Sequence, residues 1–325
     1  MIVNSALKVD KQQQRLMPKA GQLRQKHAVM VLLQKGSLRV KFVNLRRITM
    51  AKTNTFEKFE KSDKDLTMNM TNKTAVITGA TSGLGKELAI ALAKKNFNLL
   101  LIGHDNQRLE DLKSELGKLG KGNLIAQTID LSVTNSMYEN LEKMAQMVSV
   151  VDYIFCCAGI RFVGDGKDMT LEKLSQMMSV NYFSVVFLVK VLVSKIQKQG
   201  HIFVISSGAA NYGVMGDSGY CSSKAALDRF SEALYSELKP QGIMVTSVSP
   251  GPMETKLFRG SQSYSGQTVS PGEEKMISPQ IRAQQIMNQI GQDKRRLNLT
   301  LSTFIVRVLS TFAPFVLDIL IRKKK

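Results

Sequence analysis

The chain has 325 residues, 43% hydrophobic and 22% charged, with 23 Gly, 7 Pro, 3 Cys and no Trp, which excludes a disordered, collagen-like or disulfide-framework protein and leaves room for one large domain or two ordinary ones. Two of the three cysteines, Cys156 and Cys157, are adjacent, so no ordinary set of bridges is available and a reducing, cytoplasmic compartment is expected. The formal charge of +19 sits mostly in the ends, +10 in residues 1–70 (15 basic, 5 acidic) and +4 in residues 297–325 (5 and 1), against +5 in residues 71–296 (25 and 20); nucleic acid is not an expected partner of so mildly basic a body.

Residues 1–56 hold 12 basic residues and one acid, Asp10, with no sustained helical or strand period. They read as a solvated arm. The longest apolar run there, Ala28 to Leu33, is too short for a signal-peptide core or a membrane span, so secretion is not implied. An organellar transit peptide, an arm for nucleic acid or anionic lipid, and a start codon set too far upstream are the competing readings. Met68-Asn69-Met70-Thr71-Asn72-Lys73 is a natural beginning. The organisation expected is an arm over 1–70, a folded domain over 71–296 and an apolar, amphipathic tail over 297–325.

Lys73 to Thr78 is a short β-type run, followed by a Gly turn and a helical Lys86 to Ala93. Asn98 to Ile102 is apolar without alternation, as a strand covered on both faces should be. Further strands are expected at Leu124–Ile129, Tyr153–Cys156, His201–Ser206 and Met244–Val248, with helical stretches between them. That order predicts an α/β domain with a parallel sheet, because parallel strands need crossover connections.

The first turn reads Thr78-Gly79-Ala80-Thr81-Ser82-Gly83-Leu84-Gly85, directly after a strand and opening a helix. Glycines there let backbone approach a pyrophosphate, and the helix start offers free N–H groups to its charge. The spacing Gly-x3-Gly-x-Gly after Thr resembles that of the short-chain dehydrogenase/reductase superfamily, and the resemblance continues through most of residues 73–260. Asp130-Leu131 follows the third strand, where the family positions the adenine ring. Cys157-Ala158-Gly159 replaces the usual Asn-Ala-Gly, and Cys156 a frequent Asn; this departure removes a side-chain hydrogen bond that ties neighbouring strands. Asn181 resembles the family's active-site Asn. Ser207 follows the strand His201–Ser206, Tyr220 comes 13 residues later, and Lys224 four beyond it. Pro250-Gly251-Pro252-Met253-Glu254-Thr255 resembles the turn beside the nicotinamide.

The resemblance implies a Rossmann-type doubly wound sheet, a dinucleotide cofactor and a homo-oligomer. The cofactor contacts it implies are Thr78, Gly79, Thr81, Ser82, Gly83, Leu84, Gly85, His104, Asp130, Leu131, Ala158, Gly159, Tyr220, Lys224, Pro250, Gly251, Met253 and Thr255. NADP(H) is favoured over NAD(H), because the position that carries an acid in NAD-preferring folds is Gly103, followed by His104. His104 and, more weakly, Arg108 are candidate phosphate partners, and Asp105 argues the other way.

The chemistry explains the catalytic set. A phenol with a pKa near 10 is a poor proton donor at neutral pH and needs a cation nearby. Tyr220 and Lys224, at i and i+4, share one helix face. Ser207 would hydrogen-bond the substrate oxygen, and Asn181 would hold a water linking Lys224 to solvent. The expected activity is interconversion of a carbonyl and a secondary alcohol, with NADPH-dependent reduction of a lipophilic ketone favoured. A nucleotide sensor or scaffold on the same fold is the alternative, but it has no use for Ser207, Tyr220 and Lys224 together. A hydrolase would need a Gly-x-Ser-x-Gly elbow, and no cysteine spacing suits a metal.

Lys256 to Ile277 is rich in Ser, Gly and Gln and stands where the family has a mobile lid. Ser278-Pro279-Gln280 opens a helix expected to run through Ile290. In residues 304–321 the polar Arg307, Thr311, Pro314 and Asp318 recur at gaps of 4, 3 and 4, opposite Phe304, Val308, Phe312, Phe315 and Ile319. Pro314 should split the segment into two helices lying on a membrane surface rather than crossing it. The rival reading packs this stripe on the protein's own body or across a dimer. The family members that fit best are membrane-associated ones acting on lipids, steroids, retinoids or long-chain ketones, a 3-ketosphinganine-type reductase among them.

Overall fold

The computed structural model describes residues 27–34, 37–44, 72–266 and 276–322. In the first of two units, Met1–Asn69, β1 (His27–Gln34) and β2 (Ser37–Asn44) pair antiparallel, from His27 opposite Asn44 to Gln34 opposite Ser37. This corrects the expectation of an arm without strand period. Ala28 to Leu33 is an aliphatic run, the two-residue connection carries Gly36, and Leu38, Val40 and Phe42 alternate with Arg39 and Lys41; together these are a hairpin signal. Apart from these strands, the arm readings fall outside the described residues.

The second unit, Met70–Lys325, runs β3 (Thr74–Thr78), α1 (Gly83–Ala93), β4 (Asn98–Gly103), α2 (Asn106–Gly117), β5 (Leu124–Thr128), α3 (Thr134–Ala145), β6 (Val151–Cys156), β7 (Phe162–Val163), α4 (Leu171–Met178), α5 (Ser184–Leu192), β8 (Ile196–Ile205), α6 (Ser218–Leu238), β9 (Met244–Ser249), α7 (Lys256–Arg259), β10 (Gln262–Ser263), α8 (Pro279–Met287), β11 (Arg296–Asn298), α9 (Leu301–Phe312) and α10 (Pro314–Arg322). Among the described residues seven of these strands form one parallel sheet in the order β11-β9-β8-β6-β3-β4-β5. This is the expected doubly wound α/β fold.

Both faces of the sheet are apolar because alternate side chains go to opposite sides. Val76, Leu100, Ile102, Ile154, Ile202 and Val204 pack on one side against Leu141 of α3, Leu188 of α5 and Leu234 of α6. Ala75, Ile77, Leu99, Leu101, Phe155 and Phe203 pack on the other against Leu88 of α1, Leu112 of α2 and Ile286 of α8. The stretch Leu171–Lys195 has the length and mean hydropathy, 1.7, of a membrane span, yet half of it is buried in this core. Its apolarity is that of a core helix.

The seven-stranded sheet begins in sequence at β3, winds outward through β4 and β5, and returns to β6 on the other side of β3. That reversal leaves a crevice beyond the carboxyl ends of β3 and β6, the usual ligand site of such sheets. Helix α8 begins at Pro279 with the Ser278 hydroxyl accepting from Gln280 N–H, and ends at Met287, three residues short of the expected Ile290. The tail breaks at Ala313 into α9 and α10, at the proline that was expected to break it.

Candidate active site

A cavity of about 560 Å³ opens at the carboxyl ends of the central strands. Gly79 and Gly83 have positive φ, 64° and 51°, conformations open to glycine at little cost. A Cβ on Gly79 would sit 2.9 Å from the Ala158 backbone, and one on Gly85 would sit 2.3 Å from the Gly79 carbonyl oxygen. The turn is thus compressed against the end of β6, and α1 starts at its mouth with no side-chain cap from Ser82 and no acid in its first turn. Those free N–H groups and the positive end of the helix suit an anion.

Every expected site residue lines the cavity except Thr78 and Asn181, which stand behind its wall. The Thr78 hydroxyl accepts from Ala158 N–H at 3.2 Å, tying β3 to the segment after β6 where the family's Asn pair is missing. Asn181 lies in a π-helical turn, Ser179–Phe183, between α4 and α5. Its Oδ1 accepts from Ile160 N–H at 2.8 Å, and its Nδ2 donates to Ile160 O and Ser223 Oγ, both at 2.9 Å. The side chain is therefore tied to protein partners on both its oxygen and its nitrogen. It fixes the strip Ala158–Ile160 to helix α6.

Ser207 ends the run after β8, its hydroxyl accepting from Ala209 N–H at 3.2 Å. Tyr220 and Lys224 sit in the first half of α6, 4% and 3% exposed. Lys224 Nζ donates to Ile205 O at 2.9 Å and lies 5.9 Å from the Tyr220 ring centroid. Burial pushes the lysine down to about 8, with Asp228 opposing. Burial likewise pushes the Tyr220 phenol up to about 12, and a hydrogen bond with Ser207 followed by the charge of Arg161 pulls it back. Arg161, which the sequence reading did not single out, is a second cation beside the phenol, its guanidinium carbon 5.9 Å from the Tyr220 ring centroid, the same distance as Lys224 Nζ.

Asp130 at the far end accepts from Ser132 N–H and Oγ at 2.8 and 2.7 Å. Asp105 caps α2, its Oδ1 accepting from Arg108 N–H at 3.1 Å, and its Oδ2 pairs with Arg108 Nε at 3.2 Å. Two hydroxyls buried in the wall, Ser206 Oγ and Thr255 Oγ1, have no protein partner. A dinucleotide fits these features: polar atoms in the wall await a ligand, and the glycine cradle stands beside a helix start. Of the expected lid, Phe258, Gly260 and Gln262 line the cavity and β10 pairs with β7; residues 267–275 lie outside the described residues.

A family model described as short chain dehydrogenase matches residues 73–265. The chain is 31% identical over 252 residues to dehydrogenase/reductase SDR family member 7B of Xenopus laevis, covering 74% of this chain and 77% of that protein. It is 30% identical over 227 residues to 3-ketodihydrosphingosine reductase of Bos taurus, covering 67% of each. A solved short chain dehydrogenase from Burkholderia cenocepacia in complex with NADP shares the fold, with a TM-score of 0.61, 21% identity, and coverage of 71% of this chain and 97% of that one.

Proposed function

The chain belongs to the short-chain dehydrogenase family, an NAD(P)-dependent oxidoreductase interconverting a carbonyl and an alcohol, and from that premise we propose that it reduces a lipophilic ketone with NADPH, using Tyr220 as general acid. The observation that carries this reading is the buried trio Ser207, Tyr220 and Lys224 in one cavity wall with the glycine turn opposite. Bound cofactor supplies the hydride. Ser207 and Tyr220 hold the carbonyl oxygen, and the phenol gives it a proton. Lys224 holds the cofactor ribose and supplies positive charge as phenolate develops, while Asn181 positions the wall. Thr81, Ser82 and Leu84 would take the phosphates, Asp130 and Leu131 the adenine, and Pro250, Gly251, Met253 and Thr255 the nicotinamide end.

NADPH is favoured over NADH on three observations. A Cβ on Gly103 would meet the Thr81 methyl at 2.9 Å, so an acid at the end of β4 would have to displace Thr81. Asp105 is engaged by Arg108, through its backbone N–H at the helix cap and through its guanidinium. His104 and Arg108 both stand at the cavity edge, where a 2′-phosphate would meet them. The lipophilic substrate rests on the apolar Ile160, Phe162, Leu257 and Phe258 in the wall and on the similarity to a reductase named for 3-ketodihydrosphingosine. Purified full-length protein with long-chain 3-ketones should consume NADPH faster than NADH. No turnover of either cofactor across a broad ketone panel refutes the reading in favour of a sensor.

The same reading places the protein on the cytoplasmic side of an anionic membrane through its tail, and in a homo-oligomer, for which the partly buried aromatic group Tyr182, Phe183, Phe187 and Phe230 offers a face. In the tail, Phe304, Val308, Phe312, Phe315 and Ile319 are 52%, 37%, 74%, 67% and 52% exposed, whereas Thr303 and Leu317 are buried. An apolar stripe turned outward on two short helices suits a bilayer interface better than packing on the body. Arg307 faces inward, near Asp228. Arg322-Lys323-Lys324-Lys325 adds attraction of about 1 kcal/mol per charge at anionic lipid. The organisation proposed is an arm over 1–70, a catalytic domain over 71–296 and this tail over 297–325.

A further inference from the structure

Arg161 begins two residues after the close-approach Gly159 and projects into the cavity, yet no role in the reaction as described above falls to it. Its guanidinium makes a two-point ion pair with Asp217, Nε to Oδ1 at 2.8 Å and Nη2 to Oδ2 at 2.7 Å. Asp217 is the residue just before helix α6 and three before Tyr220. Nη1 reaches Ser261 Oγ at 3.3 Å, and the guanidinium carbon lies 5.2 Å from the Phe258 ring centroid and 5.9 Å from that of Tyr220. Phe258 and Ser261 belong to the segment over the cavity. One side chain therefore touches the lid, the start of the catalytic helix and the catalytic ring together.

We propose that Arg161 is a positioning residue for the reaction: clamped by Asp217, its guanidinium holds positive charge against the Tyr220 ring and ties the lid segment around Phe258 and Ser261 to the start of α6. The proposal rests on the assignment of Tyr220 as the acid. When the phenol gives up its proton, negative charge appears on the ring oxygen in a buried site, where a fixed cation is worth more than in water. The pair is also oriented. The Arg161 charge favours phenolate and the Asp217 charge opposes it, the arginine having the larger effect. The other groups facing the phenol are the Ser207 hydroxyl, the Cys221 thiol and Lys224, with the Tyr264 ring packed beside it. Of these only Tyr264 also joins the lid segment to α6, and it does so through an uncharged ring. A planar fork that holds a carboxylate at two points, bonds a hydroxyl and lies near two rings is a task for Arg rather than Lys.

The test reads the Tyr220 phenol directly and needs no substrate. Full-length protein saturated with NADP+ is titrated with base, and the tyrosinate absorbance of each variant is compared with the same variant carrying Tyr220→Phe. Arg161→Gln should raise the Tyr220 midpoint by about one pH unit or more, Arg161→Lys should recover part of that shift, and Asp217→Asn should move the midpoint the other way. Circular dichroism and NADP+ affinity serve as the fold control, and a variant that fails them is replaced by Arg161→Met. An Arg161→Gln midpoint equal to wild type, an Arg161→Lys midpoint no lower than that of Arg161→Gln, or a wild-type phenol that stays protonated until the fold is lost would each overturn the proposal. Loss of turnover on Tyr220→Phe is read separately, so a wrong acid assignment and a wrong role for Arg161 give different results.

Discussion

Replacing Gly85 by Ala tests whether the compressed turn is what holds the cofactor. The added Cβ would stand 2.3 Å from the Gly79 carbonyl oxygen and 2.8 Å from its carbon. Relief of that contact requires the carbonyl to retreat by several tenths of an ångström, and Gly79 is itself pinned by Ala158 at 2.9 Å. The peptides between them must therefore rotate, taking the phosphate-facing N–H groups with them. Losing two hydrogen bonds to a charged ligand, at roughly 1.5–3 kcal/mol each, corresponds to a weakening of about a hundredfold or more in NADPH affinity. Gly83→Ala is the control. Its Cβ would meet only the Thr255 side chain, at 3.1 Å, a contact a small shift relieves, so beside the cost of positive φ, about 1–2 kcal/mol in stability, it should weaken binding less than Gly85→Ala. Fluorescence titration with NADPH beside thermal unfolding separates the two. Near-native affinity of Gly85→Ala, or a larger binding loss in Gly83→Ala, would refute the reasoning.

Arg108→Ala should raise the KM for NADPH by about tenfold or more while leaving that for NADH unchanged, since one charge-assisted contact with a 2′-phosphate is lost; equal changes for both cofactors would remove Arg108 from the phosphate site. Burial lowers the His201 imidazole to about 3, so the folded protein keeps it neutral. Above the unfolded value near 6.5 it contributes fully to stability, and as pH falls from there toward 3 the unfolded state alone gains a proton, at up to about 1.4 kcal/mol per pH unit. The melting temperature of His201→Gln should therefore fall less steeply between those limits than that of wild type, and parallel curves would show that His201 is not the cause. The double variant Phe312→Ser, Phe315→Ser should stay folded and lose flotation with anionic vesicles; if wild type itself fails to float at low salt, the tail serves the protein's own surfaces. Truncation before α9 is the weaker experiment, because Thr300 presses on Gly251 and Thr303 on Gly208, beside the active-site loops.

The sheet was legible because its strands are short apolar runs separated by helical periods, and the structure moves most of their ends by only one or two residues. Strand β8 is the exception. It starts at Ile196, five residues before the expected His201, through Gln197, Lys198 and Gln199, whose polarity hid it. Gln199 has a φ of 67°, and the register with β6 shifts over this stretch. Strand β11 was missed because Arg296-Leu297-Asn298 carries one apolar residue; its Arg296 is fixed by Asp228 and Glu232 of α6, a tertiary cause with no local trace. The candidate site was legible wherever spacing along one element sets geometry, as for Tyr220 and Lys224, or where glycines mark a turn. Arg161 was invisible for the opposite reason. Its partners Asp217, Phe258 and Ser261 lie 56 to 100 positions away, and nothing in Gly159-Ile160-Arg161 announces them.

The measurement that bears most directly on the account is turnover by Tyr220→Phe. The ring keeps its place among Phe162, Met177 and Tyr264, so the fold and NADPH affinity should persist, while loss of the proton donor should lower kcat by about 10²-fold or more. A Tyr220→Phe enzyme that reduces the same ketone at a rate near wild type, with cofactor still bound, would contradict the assignment of the phenol as the acid.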